Sequence, residues 1–269
     1  MNAKETHLRQ IIRNAGSMAV AYSGGVDSAL VLAIATAELG TKALGIIGVS
    51  PSIAPGEREH ALETARQIGA RVEEVHPDEF SDPAYLANPP DRCYFCKRSL
   101  MMEMKSLALA RGLAVVADGF NADDWTDVRP GQKAAREAGV MSPLAEAGLV
   151  KTEVRELAHA LGLRVWDRPA TPCLSSRIPY GTPVSVEALD RIGKAENLIR
   201  EMLPLVEQVR VRHFGDRALV QVDPDRTGDL MARKPALESA LRTCGYTVAD
   251  IDPAGYVRGF LNESIGAGK

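Results

Sequence analysis

Cysteine is scarce in this chain. Four occur in 269 residues: Cys93, Cys96, Cys173 and Cys244. There is no apolar run near the roughly 18 residues a membrane-spanning helix needs. The longest, "ALVLAIATA", is short and follows a helix-start signal. The opening "MNAKETHLRQIIRN" lacks the apolar core of a secretion signal. Excess charge of either sign is also missing: 32 Lys and Arg stand against 35 Asp and Glu, a net of −3. That balance gives no whole-protein signature for nucleic acid or an anionic membrane. Internal repeats and low-complexity segments are absent. Together these absences predict a cytoplasmic protein. In a reducing compartment the cysteines are not expected to form disulfides, so metal or catalytic use gains weight. For any single cysteine the ordinary alternative is a buried inert thiol.

What is present alternates strand and helix. "MAVAY" (18–22) and "ALGIIGV" (43–49) are short apolar strand candidates, and "RVEEVH" (71–76) and "LAVVAD" (113–118) are further strands. Between them, helical patterns are expected over "VDSALVLAIATAELG", over "EREHALETARQIGA" and from about Lys97 to Arg111. "TEVRELAHALGL" adds a helix ending near Gly162. Such alternation predicts an α/β domain over 1–167, a parallel sheet with helices on both faces and ligands bound beyond the carboxyl ends of its strands. From 168 to 269 the pattern predicts a smaller α+β domain. It starts with the irregular "DRPATPCLSSRIPYGTPVS" and continues with a helix over Val186–Met202. A hairpin in "QVRVRHFGDRALVQVD", a helix in "LMARKPALESALRTCG" and a strand near "YTVADID" follow.

"AVAYSGGVDSALVLA" (19–33) carries the most chemistry. Gly24 and Gly25 let backbone amides approach a phosphate, and the helix that follows presents unpaired N–H groups. Ser23 and Ser28 add hydroxyl donors. Bare phosphate repels a carboxylate, so Asp27 points to bound Mg²⁺ or to orientation of donors. The loop is neither a Walker A motif nor GxGxxG. In "ADGFNADDWTD" (117–127), Asp118, Asn121, Asp123 and Asp124 could face Mg²⁺ or substrate; an acidic turn with Asx capping is the ordinary alternative.

The hexapeptide Ser23–Ser28 directly after a strand resembles the SGGxDS signature of the PP-loop ATP pyrophosphatases, whose fold is the adenine nucleotide alpha hydrolase-like sheet. The resemblance implies ATP over the sheet's carboxyl edge. Ser23, Gly24, Gly25, Asp27 and Ser28 would hold pyrophosphate, and adenylation of a substrate oxygen would precede displacement of AMP. It also draws Asp118, Asn121 and Asp124 toward the nucleotide, although Phe120 stands where that family has threonine. Lys151 becomes a phosphate contact; otherwise it is an exposed helix-start lysine.

The cysteine pattern admits several uses. A redox CxxC belongs in a thioredoxin-like unit, and nothing else here resembles one. Structural zinc takes four Cys or His ligands, and none of His7, His60, His76, His159 and His213 has metal-ligand spacing from another, so such a site would need Cys244 to join the other three cysteines. Three cysteines, Cys93, Cys96 and Cys173, suit a [4Fe–4S] cluster with one open iron able to bind sulfide. Cys173 could instead be a nucleophile or sulfur carrier, with Arg177 nearby to favour its thiolate. Cys244 reads as a packing residue.

"AYSGGVDSALV", "NPPDRCYFCK", "DGFNADD", "RPATPCLSSRIPYG" and the closing "GYVRGFLN" together resemble the LarE-type ATP-dependent sulfur transferases in their three-cysteine form. The resemblance implies adenylation of a carboxylate of pyridinium-3,5-biscarboxylic acid mononucleotide and its conversion to a thiocarboxylate, in nickel-pincer nucleotide synthesis. ATP, Mg²⁺ and a [4Fe–4S] cluster on Cys93, Cys96 and Cys173 are the implied cofactors. Partners are the nucleotide substrate and a sulfide or sulfur donor, with no membrane, no nucleic acid and a homo-oligomer from dimer to hexamer. The catalytic residues that the resemblance implies are Cys173, Asp27 and Arg177. Substrate candidates are Ser176, Arg177, Glu196, Arg210, Arg212 and Arg258. Arg210 and Arg212 share one face of a period-two strand, which suits a nucleotide phosphate; a solvent-facing polar face is the ordinary alternative. Arg258 is one place late relative to the family's G-Y-R-x-G-S-L-N, and Phe260 replaces a small polar residue.

Three rival readings remain. In one, Cys173 gives up its own sulfur and becomes dehydroalanine. In the second, the chain is a cluster-dependent tRNA thiolase, against which the net charge of −3 argues. In the third, it is a non-catalytic nucleotide- or metal-binding protein, against which the intact loop argues.

Overall fold

A computed structural model describes residues 3–126 and 130–261. The chain divides into two compact units. The first holds Met1–Ser50, Gly56–Asp82 and Asp91–Ala170; the second holds Pro51–Pro55, Pro83–Pro90 and Thr171–Lys269. Two short segments from the first half of the chain therefore belong with its second half, which a single boundary along the sequence cannot express.

The first unit runs α1 (Ala3–Ala15), β1 (Met18–Ala21), α2 (Val26–Leu39), β2 (Ala43–Gly48), α3 (Glu57–Ile68) and β3 (Val72–Val75). After α4 (Pro83–Leu86), which lies in the second unit, come α5 (Arg92–Ala110), β4 (Val115–Ala117), α6 (Pro130–Glu137), α7 (Pro143–Glu146) and α8 (Lys151–Ala160). Its sheet is parallel in the order β3-β2-β1-β4, with Met18 opposite Ala43 on one side and Val115 on the other. Strand side chains alternate between two apolar layers. Met18, Val20 and Ile47 pack with Leu8 and Ile12 of α1, with α2 and with Val154 and Ala158 of α8. Ala19, Leu44 and Ile46 pack with Met101, Met104 and Ala108 of α5. Burial on both faces explains why β1, β2 and β4 read as unbroken apolar runs; β3, at the sheet edge, carries Glu73 and Glu74, which pair with Arg111 and Arg58.

Three local differences from the sequence reading have plain causes. α1 has no counterpart in that reading; its signal is the pair Leu8 and Ile12, one turn apart and both buried. α5 begins at Arg92, not near Lys97; Asp91 stands at its N-cap position directly after Pro89-Pro90, where proline bars the helix from starting earlier. The CxxC thus lies inside the helix. The single helix expected around 230–245 is broken into two, α10 (Thr227–Met231) and α11 (Lys234–Thr243). Pro235 sits in the first turn of α11, where its missing N–H costs nothing.

The second unit is built on α9 (Val186–Met202), whose first turn is capped by Ser185 accepting from the Ala188 N–H at 3.1 Å. The hairpin β5 (Val209–Phe214) and β6 (Arg217–Val222) turns at Gly215-Asp216, and β7 (Val248–Ile251) adds in parallel beside β6. Among the described residues no helix is long and apolar enough to cross a membrane.

Candidate functional site

In the first unit the strand order reverses between β1 and β4, so their carboxyl ends flank the crevice where such sheets bind ligands. β1 leads into Tyr22-Ser23-Gly24-Gly25, and α2 starts at Val26. Gly25 is the N-cap with no side chain bonded to the helix end, so the first amides of α2 carry no internal cap. Gly24 has φ +76°, and a Cβ there would sit 2.8 Å from the Ala61 Cβ. Only glycine meets both demands. Tyr22 fixes the strand end: its hydroxyl donates to the Ala61 carbonyl at 2.8 Å, and burial pushes its pKa up to about 12. Ser23 and Ser28 hydroxyls lie 3.2 Å apart, and the Ser28 hydroxyl donates to the Gly25 carbonyl at 3.1 Å.

The turn after β4 docks on this loop. A Cβ on Gly119 would lie 2.7 Å from the Ser28 backbone nitrogen, so glycine permits the contact. The Asn121 side-chain amide donates to Asp27 Oδ1 at 3.1 Å. Lys151, the first residue of α8, forms an ion pair with Asp27 Oδ2, and its backbone N–H donates to Asp123 at 2.7 Å. Asp118 accepts from the Phe120 N–H and the Ser142 hydroxyl; Asp124 accepts from the Asn121 N–H. Asn121 and Lys151, 94 and 124 residues from Asp27 in sequence, thus meet it at one place. Mg²⁺ needs only one or two carboxylates besides phosphate oxygens. Asp27, in the first turn of α2, is suited to supply one.

Cys93 and Cys96 also lie in the first unit, one turn apart on α5; Cys93 is exposed and Cys96 half-buried. α6 passes close by: a Cβ on Gly131 would be 3.5 Å from the Cys93 carbonyl oxygen. Two thiols at i and i+3 share a helix face and suit a common metal centre. Among the described residues no group of three or more His, Cys, Asp or Glu is assembled for a metal ion.

Cys173 belongs to the second unit and is exposed. Its loop is pinned by residues that sequence reasoning missed. Ser52, Tyr85 and Ser175, all buried, exchange hydrogen bonds of 2.7, 2.9 and 3.1 Å. Asn88 is fully buried at φ 53° and donates to the Pro179 and Thr182 carbonyls, both at 2.8 Å. Its one signal in sequence is an Asn before Pro-Pro, since Asn tolerates that left-handed backbone.

Arg177 is completely buried. Its guanidinium forks onto Glu196 at 2.8 and 3.0 Å and donates to the Pro172 and Cys173 carbonyls and to the Ser176 hydroxyl. It grips the backbone of the cysteine loop. Arg210 and Arg212 are 3% and 5% exposed, so their face of β5 is covered, not solvated. Arg212 donates to Gln221 at 2.9 Å and to the Ser176 carbonyl at 3.1 Å, and Gln221 in turn donates to Asp252. The rings of Tyr256 and Phe260 cover Arg210 and Arg212, 5.0 and 5.4 Å from their guanidinium carbons. Burial, then repulsion from Arg177 and Arg210, pushes the Arg212 pKa down to about 10; Arg210 shifts the same way for the same leading reason. Buried positive charge in excess of its carboxylate partner suits an anion. Arg258 is exposed, and Asn262 of the closing motif lies outside the described residues. Cys244 ends α11 half-buried, its thiol pKa raised by burial.

No protein-family model matches the chain. Over 98% of its length and 99% of the relative's, it is 42% identical to an uncharacterized protein of Synechocystis. It is 33% identical to the pyridinium-3,5-bisthiocarboxylic acid mononucleotide synthase of Lactiplantibacillus plantarum, over 97% of this chain and 95% of that one. One of the subunits of the glutamine-hydrolyzing GMP synthase of Methanoculleus marisnigri matches at 26% identity, over 77% of this chain and 70% of the relative. Similarity to the mononucleotide synthase runs through both units. The chain therefore belongs to the LarE family of pyridinium-3,5-bisthiocarboxylic acid mononucleotide synthases, within the PP-loop ATP pyrophosphatase superfamily.

Proposed function

We propose that this protein is an ATP-dependent sulfur transferase that converts a carboxylate of pyridinium-3,5-biscarboxylic acid mononucleotide to a thiocarboxylate, a step of nickel-pincer nucleotide synthesis. The observation that carries the reading is the near full-length match to the synthase of Lactiplantibacillus plantarum. The uncapped amides of α2 with Ser23, Gly24, Gly25 and Ser28 would cradle the ATP phosphates, and Asp27 would hold Mg²⁺. Lys151, now paired with Asp27, would shift to a phosphate oxygen. A substrate carboxylate oxygen then attacks the α-phosphorus, the α–β bridging bond breaks and pyrophosphate leaves. A sulfur nucleophile adds to the acyl carbon and expels AMP, a far better leaving group than oxide. Arg210 and Arg212 would take the substrate's phosphate, for which two adjacent guanidiniums are well matched.

For the sulfur source we propose Cys93, Cys96 and Cys173 as ligands of a [4Fe–4S] cluster. The donor set supports this: two exposed or half-exposed thiols one turn apart, and a third on a loop held by hydrogen bonds from Ser52 and Asn88. When bound, such a cluster supplies an open iron that can carry a transferable sulfide. An external sulfide or sulfur donor, a homo-oligomeric assembly and a cytoplasmic location complete the proposal. A second reading has Cys173 consumed, favoured by its exposure on a loop gripped at the backbone.

Asp27→Ala is expected to abolish ATP-dependent AMP formation; substantial AMP release by the variant would refute the site. Anaerobic reconstitution with iron and sulfide counting tests the cluster. A protein that stays iron-free yet retains single-turnover transfer, with loss of H₂S from Cys173, refutes the cluster and establishes the second reading.

A further inference from the structure

Three donors converge on the carbonyl oxygen of Cys173. The Ser176 backbone N–H lies at 3.0 Å, the Ser176 hydroxyl at 2.8 Å and Arg177 Nη1 at 3.0 Å. A carbonyl oxygen has two lone pairs, so the third donor exceeds what holding a turn requires. One of the three is a cation whose own side chain is fully buried. Donors gathered in this way stabilise negative charge that develops on the oxygen during a reaction. Loss of the Cys173 Cα proton places charge there, because the C–H electron pair delocalises onto the adjacent carbonyl.

We infer that Ser176 and Arg177 are catalytic residues for β-elimination at Cys173, with the Cys173 carbonyl as the oxyanion they stabilise. A base takes the Cα proton, and the C–H pair becomes the Cα–Cβ double bond through the enolate. The Cβ–Sγ bond breaks and its electron pair departs on sulfur. The base is hydroxide or a buffer base, to which the exposed Cys173 is open; no oxidant or reductant is required. With Sγ acylated by the substrate, the leaving group is a thiocarboxylate and residue 173 remains as dehydroalanine. This physiological use rests on the proposed function, and it means that the second sulfur source stays open in this chain whenever Cys173 is not held by a cluster. Hydrogen bonds from Ser52, Tyr85 and Asn88 keep the loop from relaxing away from the donors.

The test needs neither ATP nor substrate. The full-length protein is treated with a bis-alkylating reagent that turns a cysteine thiol into a cyclic sulfonium, which leaves as a neutral thioether when the Cα proton is lost. Peptide mass mapping follows sulfonium and dehydroalanine separately, so thiol accessibility is divided from elimination. Elimination at Cys173 is expected to outrun that at exposed Cys93 by about tenfold or more. Ser176→Ala should slow Cys173 by about 10- to 100-fold and leave Cys93 unchanged, while Ser176→Thr restores the hydroxyl and the rate. Equal rates at Cys173 and Cys93 in the parent protein overturn the inference, and so does a parental rate in Ser176→Ala. Either failure leaves the AMP-formation test of the proposed function untouched.

Discussion

Glu196→Gln is the sharpest test of the second unit. Glutamine keeps the shape of Glu196 and an acceptor for the Val211 N–H, which lies 3.1 Å from Oε1. It removes the charge and replaces Oε2, the acceptor for Arg177 Nη2, with an amide donor. In the parent the side chains of Arg177 and Glu196 are 0% and 4% exposed and joined by a bidentate pair. Arg210 and Arg212 lie buried nearby and already repel Arg177. Three guanidiniums against one carboxylate become three against none. Breaking one side of a buried pair costs about 3–5 kcal/mol, because the remaining charge keeps its desolvation cost without its partner. Against a total stability of about 5–15 kcal/mol this is a large share. With a slope of about 2–3 kcal/mol per molar urea, the midpoint falls by roughly 1–2.5 M. Hydrogen exchange should place the loss in α9 and β5. Adding Arg177→Met to Glu196→Gln removes the orphaned charge and should recover about 1–3 kcal/mol relative to additivity. A Glu196→Gln protein within about 1 kcal/mol of the parent would refute the pairing argument.

Other consequences can be measured alongside. Glu79 is 1% exposed, and neither of its oxygens has a hydrogen-bond partner; burial raises its pKa, and Ser50, short of hydrogen-bond geometry, offsets only part. The folded state therefore favours the protonated form: stability from this group is complete below the unfolded pKa of about 4.3 and is lost as pH rises through the folded value. Glu79→Gln should raise the unfolding temperature at pH 8 more than at pH 5; equal shifts at both would refute this. Gly119→Ala drives a Cβ to 2.7 Å from the Ser28 nitrogen, and overpacking of this kind costs about 1–3 kcal/mol. Thermal melts should show the loss, and isothermal titration should show weaker ATP binding; an unaffected ATP affinity would show that the β4 turn does not position α2. Arg212→Lys loses the planar fork onto Gln221 and the Ser176 carbonyl. Binding of the pyridinium mononucleotide should weaken by about 10- to 100-fold, as for a lost charge-assisted contact, and an unchanged Kd would remove Arg212 from the phosphate site.

The first unit is legible where the motif and the strand period agree. β1, its glycine loop and α2 can be read because burial on both faces makes the strand continuous and only glycine permits the Gly24 backbone. α1 is hard to read because its segment shows few apolar residues, two of them decisive. The start of α5 is ambiguous in sequence because the Asp91 cap and the CxxC point to different first turns. Lys151 stands at a helix start as expected, yet its ion pair with Asp27 joins positions 124 apart, and no local pattern announces such a contact.

The sequence by itself determined the chemistry available: a phosphate loop after a strand, a CxxC, a third cysteine and arginines alternating with valines on one strand. Local propensity and period suffice for these, since they depend on neighbours within a few residues. Only the tertiary structure decided what those groups face. The arginine stripe of β5 would be solvent-exposed in an isolated hairpin; here the rings of Tyr256 and Phe260 cover it. Arg177, which by position alone could activate a thiol, instead donates to the Cys173 carbonyl, and residues from 51–55 and 83–90 hold that loop in place. Period assigns a residue to a face of its element. What covers that face, and whether its charge is met there, depends on segments the chain brings together from far apart.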